Sequence, residues 1–266
     1  DATISKRRRL SARQRYVSVK LSSRSRCHTG KFALFDSIHT KSNAALLSRF
    51  SLSKAVEYLT ANPGKVGLIT LSIGGNDLLK CDIFGESDVA VLLQCLADTL
   101  GELASNLSRI VLALQAASPN VPIVAMNIYQ PFVALWLNGA AALPLVDLTL
   151  SSTTAINDVL DNVYGALQVP VVDAAEVFGT FIYEDGGAGP DPPTNVRLVC
   201  QWTNMCEMQE SGEFVLIGDY DATTVDVPVP DVHTNDEGYE VLADAHISLI
   251  KEMKLVAKAV PHYVTI

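Results

Sequence analysis

The sequence predicts an α/β fold, a doubly wound parallel sheet in three layers. Three observations carry that reading: helix-like and strand-like patterns alternate from about residue 52 onward, the first strand-like runs are apolar on both faces, and the turns between them are short. At 266 residues the chain is long enough for one large α/β domain with a real core.

The elements follow in order. "LSKAVEYLTANPG" (Leu52 to Gly64) has apolar residues at Ala55, Val56, Leu59 and Ala61 and stops at Asn62-Pro63-Gly64, so it reads as a helix and turn. "VGLITLSI" (Val66 to Ile73) is β-branched and apolar on both faces, as a central parallel strand should be. A long helical pattern runs from Val89 to about Ala117 and ends at Ser118-Pro119-Asn120. "VPIVAMNIY" (Val121 to Tyr129) is a second buried strand, stopped by Gln130-Pro131. A helix over roughly Leu145 to Leu167 leads into "VPVVDAAEVF" (Val169 to Phe178), read as a third strand. "EDGGAGPDPP" (Glu184 to Pro193) is loop, and the last helix covers Asn235 to about Ala259. There is no internal repeat.

Charge divides the chain. Residues 1–26 hold nine Lys/Arg against the single acid Asp1, a net of +8, whereas the rest carries 11 basic and 28 acidic groups, a net of −17. The first 50 residues are rich in Arg and Ser and lack apolar periodicity, so they read as a basic segment, disordered or non-native, ahead of one domain over 51–266. No apolar h-region follows the basic residues, which argues against a secretory signal there. The chain begins at Asp1 and not at Met, which suggests a fragment, a processed form or an incompletely called gene. A polyanion-binding arm is the weakest functional reading, because a body of −17 would repel phosphate; no nucleic-acid partner is expected. No run of about 18 apolar residues occurs, so no stable membrane insertion is expected either.

Of five cysteines, Cys81 and Cys95 lie 14 residues apart, Cys200 and Cys206 lie six apart, and Cys27 is left over. No CxxC is present and no histidine stands at metal-ligand spacing, which argues against zinc. Two local disulfides, and with them an oxidising compartment, are favoured over free buried thiols. Asp219, Asp221 and Asp226 match no calcium loop and read as solvated loop charge.

Two segments carry candidate chemistry. In open parallel sheets ligands bind past the carboxyl ends of the strands, and Gly74-Gly75-Asn76-Asp77 stands at such an end. Glycines let a ligand approach the backbone, and the Asn76 amide offers donors without charge, which suits a developing oxyanion. Gly-Gly and Asn-Asp are also ordinary turn chemistry. In "VPDVHTNDEGYEVLADA", Asp231 and His233 come just before a helix start that Thr234-Asn235 can cap, with Asp236 and Glu237 at its positive end. A histidine on a loop beside a carboxylate has the makings of a general base with an orienting partner.

Together "LSIGGNDLL" and "DVHTNDEGY" resemble the SGNH (GDSL-type) family of esterases and lipases, over about residues 52–260. "MNIYQPF" and the two cysteine pairs are also similar to those of its secreted bacterial members. The resemblance implies a flavodoxin-like three-layer fold, secretion, no metal or organic cofactor, and hydrolysis of lipid, carbohydrate or other small-molecule esters through an acyl-enzyme. It implies that Asn76 donates to the oxyanion with Gly75 beside the substrate, that His233 is the base, and that Asp231 orients it. The family usually places its acid three residues before the histidine, where this chain has Pro230; Asp231 is two before, so either it reaches the ring by another loop path or a backbone carbonyl holds Nδ1.

The family's nucleophile block after the first strand has no clear counterpart, so the first strand and that block are expected to be missing or damaged. The nearest echo is Ser37 in "KFALFDSIHT", only 39 residues before Asn76 and with Phe35 where the block has glycine. The stretch before about residue 50 has the look of coding sequence read in a wrong frame, which translating the gene in all three frames tests. The rival expectation is a catalytically inactive protein of the same fold that binds carbohydrate or lipid. A serine within reach of His233 separates the two.

Overall fold

A four-stranded parallel sheet in the order β1-β4-β5-β6 organises the computed structural model, which describes residues 17–20, 22–23, 34–35, 52–78, 81, 89–217 and 231–255. The chain runs β1 (Val17–Lys20), β2 (Ser22–Ser23), β3 (Leu34–Phe35), α1 (Leu52–Ala61), β4 (Ile69–Ser72), α2 (Gly75–Leu78) and α3 (Val89–Ala117). It continues through β5 (Ile123–Met126), α4 (Leu143–Ala166), β6 (Val171–Val172), α5 (Ala174–Val177), α6 (Thr194–Trp202), β7 (Cys206–Met208), β8 (Phe214–Leu216) and α7 (Asp236–Glu252). Tight 3-10 turns cover Pro131–Asn138 and Glu184–Gly187. In register, Val19 faces Leu71, Leu71 faces Ala125, and Ala125 faces Val171.

Alternation along the strands divides the core into two layers. Ile69, Leu71, Ile123 and Ala125 point to one face, where Leu103, Leu107, Val111 and Leu114 of α3 meet Ile156, Leu160 and Tyr164 of α4 and Ala55 and Leu59 of α1. The α3 residues recur at spacings of four, four and three, the stripe a helix needs to bury one side. Leu68, Val124 and Val172 point to the other face, against Ala245, Leu249 and Ile250 of α7. Helices therefore cover both faces, as the sequence predicts. A further cluster past the strand ends joins Phe132, Val133 and Leu135 to Phe178, Val196, Val199, Met205 and Leu242.

Several elements depart from expectation. Val17–Lys20 supplies an edge strand, inside the stretch expected to lack a first strand. Val169–Phe178 is not one strand: β6 spans two residues, and Asp173 then caps α5 by accepting from the Glu176 N–H at 2.8 Å. The Asp-x-x-Glu spacing of a helix start outweighs the apolar run there. The predicted helix over Asn235 to Ala259 is α7 up to Glu252, and residues past 255 lie outside those described. The turn over Pro131–Asn138, α6 and the antiparallel hairpin β7–β8 have no counterpart in the sequence reading.

Buried polar side chains fix the chain just past the sheet. Asn157 of α4 grips Ile128 as a neighbouring strand would, accepting from its N–H and donating to its carbonyl, both at 2.9 Å. Gln130 donates to the Thr149 carbonyl at 2.8 Å and to Thr153 Oγ1 at 2.6 Å, and accepts from the Phe132 N–H at 2.8 Å. Asn157→Leu would strand both peptide groups of Ile128, so it is expected to cost about 2–4 kcal/mol in urea unfolding.

Candidate active site

Strand β4 ends in the Gly-Gly-Asn-Asp segment because that backbone admits little else. Gly74 has φ +115°, and a Cβ there would stand 3.2 Å from Ile128 Cδ1 and close to Leu160 and Leu103. Only glycine meets both conditions without strain. The chain then winds into the single turn α2, with the Asp77 N–H donating to the Gly74 carbonyl at 2.9 Å. A Cβ at Gly75 would meet nothing within 4 Å, so this backbone faces open space. Asn76 is exposed and Asp77 is buried. The Cys81–Cys95 disulfide ties the chain just beyond α2 to α3, while Cys200–Cys206 ties the end of α6 to the start of β7. The strand end is thus a helical turn that begins on the second glycine.

The Asp231–His233 loop lies at the same edge of the sheet. Tyr129, three residues past β5, donates its hydroxyl to the Val232 carbonyl at 2.9 Å, and Ile128 beside it packs on Gly74. The Gly-Gly-Asn turn and the histidine loop therefore meet the same short segment, Ile128-Tyr129. Tyr129 is held by stacking on Phe178, centroids 4.1 Å apart, with Trp202 edge-on to Phe178 at 5.3 Å. Burial, with the neighbouring Tyr239 and Asp231, pushes the Tyr129 hydroxyl well above its ordinary pKa, so it stays a neutral donor.

Asp231 does reach the imidazole. Its Oδ1 lies 2.5 Å from His233 Nδ1 and accepts from the His233 backbone N–H at 3.0 Å, so the loop folds back on itself over two residues. Of the two expected ways to hold Nδ1, the carboxylate is the one in place. Partial burial pushes the Asp231 carboxyl up, but the hydrogen bonds from His233 and Asn204 and the imidazole beside it outweigh that and hold it below its usual value. The imidazole side chain is 63% exposed and Asp231 54%, so the ring is open to solvent.

Segment 203–204 clasps the loop from the other side. The Asn204 N–H donates to the His233 carbonyl at 2.9 Å, its side-chain amide donates to Asp231 Oδ2 at 3.2 Å, and Thr203 and Thr234 form an antiparallel bridge. Asn235 caps α7, accepting from the Gly238 N–H at 3.0 Å while donating its own N–H to the Trp202 carbonyl at 3.0 Å. Sequence reasoning missed Asn204 and Tyr129; the first is 27 residues from its carboxylate and no spacing rule joins them.

The remaining candidates are less complete. Ser37, Cys27, Asp219, Asp221 and Asp226 lie outside the described residues. The backbone of β2 begins two residues past the carboxyl end of β1 and runs beside α2, which brings Ser22–Ser23 to the edge where Asn76 stands. Among the described residues no group of three His, Cys, Asp or Glu is gathered as metal ligands, and no helix is long and apolar enough to cross a membrane.

The sequence matches no protein-family model and no curated protein. Among solved structures it is similar to a phospholipase A1 from Streptomyces albidoflavus, at 16% identity and a TM-score of 0.38, over 49% of this chain and 59% of that one. It is similar to an extracellular lipase from Streptomyces rimosus at the same identity and TM-score, over 56% of this chain and 75% of that one. Likenesses at this level leave the reaction to be argued from the site itself.

Proposed function

We propose that this protein is a serine ester hydrolase that works through an acyl-enzyme, with His233 as base, Asp231 as its orienting acid and Asn76 in the oxyanion hole. The observation that carries the reading is the bond from His233 Nδ1 to Asp231 Oδ1 on a loop otherwise open to solvent. That bond fixes the tautomer with the proton on Nδ1 and leaves Nε2 to take a proton. The loop's position at the strand edge that also holds Gly74–Asn76 supports the assignment of the oxyanion donor.

In this reading a serine Oγ attacks the ester carbonyl carbon as its proton passes to His233 Nε2. Asp231 stabilises the imidazolium, and the Asn76 amide donates to the carbonyl oxygen as it gains charge. Collapse expels the alcohol, protonated by Nε2, and water repeats the cycle to release the acid. Gly75 leaves room for the acyl group beside the oxyanion. Lipid, carbohydrate or other small-molecule esters suit such an open edge, and the two disulfides favour an extracytoplasmic setting.

The candidate nucleophiles are Ser37, from the sequence echo, and the Ser22–Ser23 pair, whose backbone lies beside α2. Fluorophosphonate labelling of the purified chain, with the modified residue located by mass spectrometry, distinguishes them. A single labelled serine, lost in His233→Ala, is the expected result. A folded protein that takes no label would remove the hydrolase reading and favour a binding protein of this fold. Asp231→Asn would hold the ring in the wrong tautomer, so kcat is expected to fall about 10³–10⁴-fold, read with a p-nitrophenyl ester.

A further inference from the structure

We infer that Asn204 is a positioning residue for the Asp231–His233 pair, held in place by the disulfide loop that carries it. The inference rests on the hydrolase reading for its kinetic consequence, but not for its structural one. Asp231 spends Oδ1 on His233, on both the backbone N–H and the ring, and Oδ2 is what remains to fix the rotation of the carboxylate. Asn204 Nδ2 takes that oxygen at 3.2 Å. An amide is well suited to this position, since it donates to the carboxylate without bringing a positive charge that would compete with the imidazolium. The backbone of the same residue holds the loop itself, through the Asn204 N–H to the His233 carbonyl at 2.9 Å. One residue thus sets both the height of the loop and the plane of its carboxylate.

What makes Asn204 able to position anything is the rigidity of its own segment. Residues 200 and 206 are joined as a disulfide, and both are buried. Between them Thr203 Oγ1 donates to the Val199 carbonyl at 2.6 Å and accepts from the Met205 N–H at 3.2 Å. Met205 is fully buried, and its carbonyl accepts from the Ile217 N–H at 2.8 Å. The short loop is therefore pinned to α6 on one side and to the β7–β8 hairpin on the other. The exposed Asp231 and His233 borrow their order from it.

The test compares Asn204→Leu, Asn204→Asp and the parent protein. Asn204→Leu removes the donor, and kcat for a p-nitrophenyl ester is expected to fall about 10- to 100-fold with KM and the unfolding temperature little changed. Asn204→Asp sets a second carboxylate against Asp231. Its loss should be larger at neutral pH and should shrink relative to the parent as the pH is lowered, because one of two facing carboxylates takes up a proton and donates again. A merely structural residue would move stability or KM and give no such recovery. Joined with Cys200→Ala/Cys206→Ala, the Asn204→Leu loss should be less than multiplicative, since both act on one geometry.

Imidazole NMR keeps the outcome independent of turnover. A His233 Nδ1–H resonance, expected in the parent from the bond to Asp231 Oδ1, should broaden or vanish in Asn204→Leu. If that resonance and kcat are both unchanged, Asn204 does not position the pair and the inference is overturned. If the parent hydrolyses no ester and takes no fluorophosphonate, the hydrolase reading fails, while loss of the resonance in Asn204→Leu still supports the positioning role and its persistence refutes it.

Discussion

His233→Ala is expected to lower turnover of a p-nitrophenyl ester by roughly 10⁴–10⁶-fold, with unfolding free energy within about 0.5 kcal/mol of the parent. The separation of the two effects follows from which atoms of residue 233 do what. Its backbone N–H donates to Asp231 and its carbonyl accepts from Asn204, and both bonds survive truncation of the side chain. Neither the Tyr129 bond to Val232 nor the Thr203–Thr234 bridge uses the ring. With the imidazole 63% exposed, truncation leaves no cavity. What it does remove is the proton acceptor for the nucleophile. The carboxylate of Asp231 then faces solvent, where it is readily hydrated. Steady-state kinetics beside urea unfolding checks both halves. A stable variant that kept most of its turnover would mean the base lies elsewhere.

The depth to which the sequence could be read varied with how local the deciding interactions were. The layered sheet was legible because β4 and β5 write their burial into consecutive apolar residues and α3 writes its buried stripe at helical spacing. Asn76, Asp231 and His233 could be singled out as candidates because they sit at element boundaries whose turn and cap residues are adjacent in the chain. Asp231, only two residues before the histidine, reaches Nδ1 because the chain folds back through the bond from the His233 N–H to Asp231 Oδ1. That turn is set by a side chain and leaves no hydrophobic pattern. The missed elements share a different cause. The Pro131–Asn138 turn is ordered by Gln130, whose partners come from α4, and β7–β8 is fastened by contacts to the buried Met205. Nothing within those segments announces partners so far along the chain. In Val169–Phe178 two signals competed, an apolar run and an Asp-x-x-Glu cap, and the cap prevailed because Asn127 also binds Asp173 Oδ1 at 2.9 Å and accepts from the Ala175 N–H at 3.1 Å.

Gly238→Ala is expected to be strongly destabilising, costing about 3–4 kcal/mol and lowering the unfolding temperature by about 10 °C. Gly238 lies in the first turn of α7 in ordinary helical backbone, so the prediction does not rest on glycine's conformational freedom. It rests on space. A Cβ there would overlap the carbonyl oxygen of Trp202, a backbone atom that cannot rotate away, and would stand 3.0 Å from Thr234 Cβ. That carbonyl ends α6 and accepts the Asn235 N–H, while Asn235 in turn caps α7 by accepting from Gly238 itself. Relief therefore requires the two helix ends to part, which loses the Asn235 bond to Trp202 and loosens the bridge between Thr203 and Thr234. Since His233 immediately precedes that bridge, the surviving folded protein should also turn over more slowly. Gly101→Ala is the control: it lies within α3, a Cβ there meets nothing within 4 Å, and the change should stabilise the protein by about 0.5–1 kcal/mol. Thermal and urea unfolding of the two variants side by side would decide it. Equal stabilities would mean that α6 and α7 do not approach as closely as the Trp202–Asn235 bond requires, and that the loop bearing His233 is held by other means.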